Sequence, residues 1–291
     1  MVVLAFLMQT LRISVPYLFA ASGGVVAERA GVVSLTLEGF MLTGAFGATL
    51  GSHYSGSPWV GLLCGVAAGL GAALLHALAS LRYRANQIVV GIAINLLAVG
   101  ITRFFLRFAF DSSSNSPRVP GFGGASGGVF GAFTNPLVWI GLLAVPAVAF
   151  LLYRTPFGLR VRAVGEHPEA AATLGVPVQR VRWTAVLLSG ALAAMGGVYL
   201  ALDQHQFTDQ MTAGRGFIAL AAVIFGRWDP LRAGLACILF AAAETTQIRL
   251  QGTNLVPSQF LEMIPYLLTI VALAGVVGRA VPPAALGKSE E

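Results

Sequence analysis

Between Val2 and Val277 the chain returns repeatedly to apolar runs of about 20 residues, the length an α-helix needs to cross the hydrocarbon core of a bilayer. A soluble domain could not bury this much apolar surface: 56% of the 291 residues are hydrophobic and only 10% are charged. The reading is an all-α, polytopic integral membrane protein of about nine spans (8–10), at roughly 3–22, 34–53, 58–81, 88–107, 136–153, 182–202, 214–226, 229–248 and 257–278. Residues 1–278 then form one transmembrane domain and 279–291 a tail, with no soluble domain left over. The first run lacks a basic leader and carries Arg12 in mid-segment, so it reads as a retained span rather than a cleaved signal. Cys64 and Cys237 both lie inside apolar runs, where a small packing residue is a commoner role than a disulfide or a metal ligand.

Nine spans put the termini on opposite sides, and the arginines say which side is which. Arg82 and Arg84 follow the third run; Arg154, Arg160, Arg162, Arg180 and Arg182 follow the fifth; Arg227 and Arg232 follow the seventh; Arg279 and Lys288 follow the ninth. All four clusters fall on one face, which the positive-inside rule makes cytoplasmic, with the N-terminus outside and the C-terminal tail inside a plasma membrane. Arg103, Arg107 and Arg118 lie toward the other face and run against this trend. Basic residues scattered over loops mark topology, not a nucleic-acid surface. The 108–135 connection, rich in Ser and Gly from Asp111 onward, falls outside and reads as a flexible connector.

An internal repeat is visible. Gly23-Gly24 recurs as Gly196-Gly197 and the Gly61…Cys64 tetrad as Gly234…Cys237, both at an offset of 173 residues. That offset superposes the first four spans on the sixth to ninth, and five spans of separation invert the second half, as in folds with paired broken helices at their centre. The run Gly214–Pro230 is apolar for only about a dozen residues, too few to span untilted, and reads as a half-helix.

The most polar stretch, Arg154–Arg182, sits on the cytoplasmic face. Pro168 suits a first helical position, Glu169 favours the positive end of the helix dipole, Ala170–Ala172 propagate, and Gly175 with Pro177 ends the helix. Two turns are marginal in water, so either the rest of the chain or a partner must hold them.

Enzymatic chemistry finds no foothold in the sequence. The single lysine, in Gly287-Lys288-Ser289, has Pro282 where a P-loop needs its first glycine. His53, His76, His167 and His205 are scattered, and H-E-x-x-H, C-x-x-C and G-x-S-x-G do not occur. Polar residues within the spans are the remaining candidates, since a carboxylate at a helix centre costs about 2.5–3.5 kcal/mol on insertion scales. Glu38, Asn95 and Glu244, with Gln247 one turn beyond, either line a polar path or cap broken helices and bond across helix interfaces. Phe40 and Phe217 either stack on a planar solute or pack on neighbouring helices.

Four blocks carry a family resemblance over nearly the whole chain: AERAGVVSLTLEGFMLTGAFGA (27–48), ANQIVVGIAINLLAVGIT (85–102), TPFGLRVRAVGEHPEAAATLGV (155–176) and TAGRGFIALAAVIFGRWDP (212–230). In this order they resemble the membrane permeases of bacterial ABC importers of the ribose and branched-chain amino acid type, most of all the nucleoside permeases served by a basic-membrane-protein lipoprotein. The resemblance implies that Gly165–Val176 is a coupling helix seated in a groove of the ATPase, carried by Glu166, Pro168, Glu169, Ala170, Ala171 and Gly175. It implies three protein partners as well: a cytoplasmic ABC ATPase holding ATP and Mg, a second and different permease subunit, and an extracytoplasmic solute-binding lipoprotein. This chain itself would bind no cofactor. Two departures stand out: Ser34-Leu35-Thr36-Leu37-Glu38-Gly39 replaces the commoner N-x-G-L-E-G, and Glu244 stands where relatives often have Asp.

The expected function is the permease subunit of an ATP-driven importer for a nucleoside, with a simple sugar or branched-chain amino acid as the alternative solute. The rival class is a proton-coupled secondary transporter in which Glu38 or Glu244 carries the proton.

Overall fold

The computed structural model describes residues 2–122, 134–251, 263 and 281–288. Ten helices follow one another there: α1 (Val2–Arg29), α2 (Leu37–Ser55), α3 (Pro58–Ala77, prolonged by a π-turn over Leu78–Arg82), α4 (Gln87–Phe110), α5 (Pro136–Arg154), α6 (Pro156–Glu166), α7 (Pro168–Thr173), α8 (Val178–Gln204), α9 (Arg215–Phe225) and α10 (Pro230–Gln251). Five are long and apolar enough to cross a membrane: α1, α3 with its π-turn, α4, α5 and α8. The expected ninth span, 257–278, lies outside the described residues except for residue 263.

Two helices form the centre. In α2, small residues outnumber large ones, and Gly47 and Gly51 meet Cys64, Gly61 and Gly65 of α3 at backbone distance, the close approach that substitutes for a hydrophobic driving force between helices in lipid. α8 is 72% buried over its most apolar window and packs on α1, α2 and α3. By contrast only 22% of the corresponding window of α4 is buried, and its outward face is a run of apolar side chains that includes Phe104, Phe105 and Phe108.

The 173-residue repeat has a structural counterpart. α1 and α8 begin and end within three residues of one another when superposed at that offset, α3 and α10 within one residue at their starts, and α9 falls inside α2. The contacts are reciprocal. A Cβ on Gly23 would lie 2.6 Å from the Ser189 carbonyl oxygen, and one on Gly196 would lie 2.9 Å from that of Pro16; Pro16 and Ser189 are themselves 173 residues apart. Arg12–Asp203 at one end and Arg182–Ala30 at the other show that α1 and α8 run antiparallel, so the second copy is inverted. Each then packs on the third helix of the other half, α8 on α3 and α1 on α10.

Three expectations need correction. The first span continues past residue 22 to Arg29, because Glu28 and Arg29 find partners and need not be excluded from the helix. The 154–182 segment contains a second helix, α6, because Thr155 caps it through Gly158 N–H at 3.1 Å and Pro156 occupies its first turn. The first part of the 108–135 connection is no free linker: Ser116 and Val119 N–H donate to the Phe207 and His205 carbonyls, each at 2.8 Å, and Asp209 N–H donates to that of Ser114. Residues 123–133 of that connection lie outside the described residues.

Candidate functional site

At one end of the bundle the chain builds the segment α6–α7. α6 reaches it by packing so closely on the end of α1 that the Arg29 carbonyl fills the space where a side chain on Gly165 would stand. His167 then breaks the helix, and α7 covers six residues, shorter than the Gly165–Val176 span expected. Pro168 starts it, Glu169 sits in its first turn, and the chain turns away at Gly175, whose φ of +79° is the left-handed conformation that favours glycine. The rest of the chain holds it: Ala171 is buried, Val176 packs on the main core, and Val176 N–H donates to the Ala171 carbonyl at 3.0 Å. Glu166, Glu169 and Ala170 are exposed, as is Leu174 at 85%, so the outer face is left open.

The half-helix α9 lies at the core of the repeat. Its 11 residues rise about 16 Å, half of a hydrocarbon core, so its first N–H groups start deep in the protein. Glu38 supplies what they lack. Its Oε1 accepts from Thr212 Oγ1 at 2.6 Å and Gly214 N–H at 2.9 Å, and its Oε2 accepts from Gly216 N–H at 2.7 Å. A carboxylate at a helix N-terminus also meets the positive end of the dipole.

The first residue of α9, Arg215, donates to Glu244 of α10 at 2.7 Å, and the Tyr17 hydroxyl of α1 donates to the other oxygen of the same carboxylate. Asn95 holds the matching break before α2, accepting from Gly39 N–H at 2.8 Å and donating to the Leu35 carbonyl at 2.9 Å. Thr36 and His76 bond beside it.

The polar residues singled out in the sequence thus meet as one framework around the two helix breaks, while the aromatic pair does not. Phe40 is 2% exposed and packs edge-on against His76; Phe217 is 47% exposed on α9. Gln247 is half-buried on α10, one turn from Glu244. A cavity of about 480 Å³ opens next to this framework between α1, α8, α9 and α10, with Arg12, Tyr199, Asp203, Arg215 and Arg249 among its walls. None of the six candidates lines it; Glu244 reaches it through Arg215.

Sequence reasoning passed over three residues. Arg215 was legible as the lone charge opening an apolar run. Glu28, buried at the end of α1, accepts from Ser34 and from the Trp228 indole, and Arg29 Nε donates to the Trp228 carbonyl at 2.8 Å. Together the last two residues of α1 grip the α9–α10 turn, where Arg227 and Trp228 both adopt positive φ.

The family model described as branched-chain amino acid transport system / permease component matches residues 6–273. The chain is 39% identical to the guanosine ABC transporter permease protein NupQ of Bacillus subtilis, over 96% of this chain and 93% of that one. It is 36% identical to the nucleoside ABC transporter permease protein NupC of Lactococcus lactis, over 94% and 92%. Its fold resembles a solved ABC transporter assigned to the metal-chelate type in an inward-facing conformation, with a TM-score of 0.57 at 17% identity, covering 91% of this chain and 84% of that one.

Proposed function

Because the chain belongs to the permease component family of branched-chain amino acid transport systems, and is a permease subunit of an ABC importer, we propose that the solute it passes is a nucleoside. The observation that carries this reading is the match to a guanosine permease along nearly the full length of both chains. ATP hydrolysis belongs to a separate subunit. In this reading α7 is the coupling helix, with Glu166, Pro168, Glu169, Ala170, Ala171 and Gly175 forming or shaping its contact with that ATPase. Its exposed face and its anchorage by Ala171 support the assignment: a docking element must be both open and firmly held.

The end that carries α7 is the cytoplasmic end. Arg154, Arg160, Arg162, Arg227 and Arg232 gather there, whereas at the far end Arg12 and Arg103 are ion-paired with Asp203 and Asp209. The N-terminus of α1 is then outside and residues 281–288 are inside. A second, different permease subunit completes the path, and a solute-binding lipoprotein delivers the nucleoside from outside. Glu38, Asn95 and Glu244 shape the path by fixing α2 and α9. In this arrangement Glu38 and Glu244 are each held by donors from α9 or its approach.

Uptake of labelled guanosine by cells carrying the complete transporter tests the solute. Deletion of this chain should abolish uptake, and unlabelled adenosine should compete while glucose and leucine do not. Competition by glucose or leucine alone would overturn the nucleoside reading. Glu169→Arg combined with Gly175→Pro should abolish co-purification of the ATPase; full retention would overturn the coupling-helix assignment.

A further inference from the structure

Residues 281–288 turn back onto the bundle. Ala285 is 2% exposed, and its N–H donates to the Gly165 carbonyl at 2.9 Å. Gly287 N–H donates to the Gly31 carbonyl at 3.1 Å, and Leu286 packs on the main core. Ala284 N–H points at a Glu166 carboxylate oxygen 3.3 Å away. The segment therefore fastens the end of α6 to the end of α1, alongside α7. Gly31 takes a left-handed φ of +87°, and a Cβ there would press to 3.1 Å from the Ala285 carbonyl oxygen.

Between this segment and α7 lies an open groove of about 1170 Å³, bounded by the α6–α7 turn, the start of α8 and residues 284–288. Its lining carries both signs of charge: Glu166 and Glu169 from α6 and α7, Arg180 from α8 and Lys288 from the tail. Glu169, Arg180 and Lys288 enter no ion pair among the described residues. Exposed charges held in a fixed frame, beside an open helix face, are complementary to a protein element that offers both a cation and a carboxylate.

We infer that residues 284–288 are a second wall of the ATPase-docking surface, so that the ATPase inserts its docking element between α7 and the tail instead of meeting α7 alone. The inference rests on the reading of α7 as the coupling helix. It gives the tail a mechanical part, because a push on the tail reaches Gly31 and the α1–α2 break directly, without passing through α6.

Site-specific photocrosslinking in the complete, assembled transporter tests it, with the photoreactive residue placed at position 170, at position 288, or at Tyr54, which is 73% exposed at the opposite end of α2. The expected result is an adduct with the ATPase from 170 and from 288 and none from 54. An adduct from 170 only would overturn the inference and leave the coupling-helix reading standing. An adduct from 288 only would overturn that reading and, with it, the two-walled groove. No adduct from either would overturn both.

Discussion

Glu38→Gln separates a structural carboxylate from one that handles solute. The substitution keeps the shape of the side chain, but one oxygen becomes an NH2 group, which cannot accept. If that group faces Gly216, one backbone N–H at the start of α9 loses its acceptor; if it faces Gly214, that N–H loses its acceptor and the Thr212 hydroxyl must turn away. Losing the charge also weakens the remaining bonds, since those to ionised acceptors contribute about 1.5–3 kcal/mol against about 1 kcal/mol for neutral ones. One orphaned donor at about 1–3 kcal/mol and one or two weakened bonds sum to about 3 kcal/mol. Glu38 is partly buried, so water can reach the site and the lower half of the range applies, about 2 kcal/mol. For a chain of 291 residues, whose unfolding entropy is about 0.6 kcal/mol/K, that lowers the midpoint of thermal unfolding by about 3 °C. The assay is thermal unfolding of the purified protein in detergent, read against nucleoside uptake at saturating and subsaturating solute. A variant with unchanged thermal stability but a raised KM would refute the capping argument and make Glu38 a solute ligand.

Two further substitutions follow from the same framework. Arg215→Met and Glu244→Met should each destabilise the protein by about 1–3 kcal/mol, less than for a fully buried pair because water reaches it, while the double variant should lose less than the sum of the two; additive losses in thermal unfolding would refute the pairing. Gly197→Ala should prevent stable assembly, since the Met41 carbonyl occupies the position of the new methyl group, whereas Gly71→Ala on α3, with nothing within 4 Å, should be neutral or stabilise by up to about 1 kcal/mol. Yield and monodispersity after size-exclusion chromatography distinguish the two.

The long helices were legible because each is written in a largely apolar run, and the half-helix because its run stops short at Gly226. The repeat was legible from glycines recurring at one offset, and two of them, Gly23 and Gly196, sit against the backbone of the opposite helix. What the sequence withheld was partnership. Glu38, Asn95 and Glu244 were visible as polar residues in apolar surroundings, but nothing local says that Glu38 caps a helix more than 170 residues away. Phe40 illustrates the converse: an aromatic next to a conspicuous carboxylate looks like a solute platform, yet the period of α2 turns it into the core. α6 was missed because its first turn is announced by Thr155 and Pro156, in a segment whose basic residues suggested only a loop. Nothing in the composition of Pro282–Lys288 indicated that this segment would be packed.

The cap on α9 also dictates an order of events during synthesis. Glu38 leaves the ribosome 178 residues before Gly216, and Glu28 precedes Trp228 by 200. Until the second half arrives, Glu38 lacks the Thr212, Gly214 and Gly216 donors that later surround it, and Glu28 has Ser34 but not the Trp228 indole. The start of α9, too short to span by itself, is therefore completed only by a carboxylate made in the first half of the chain.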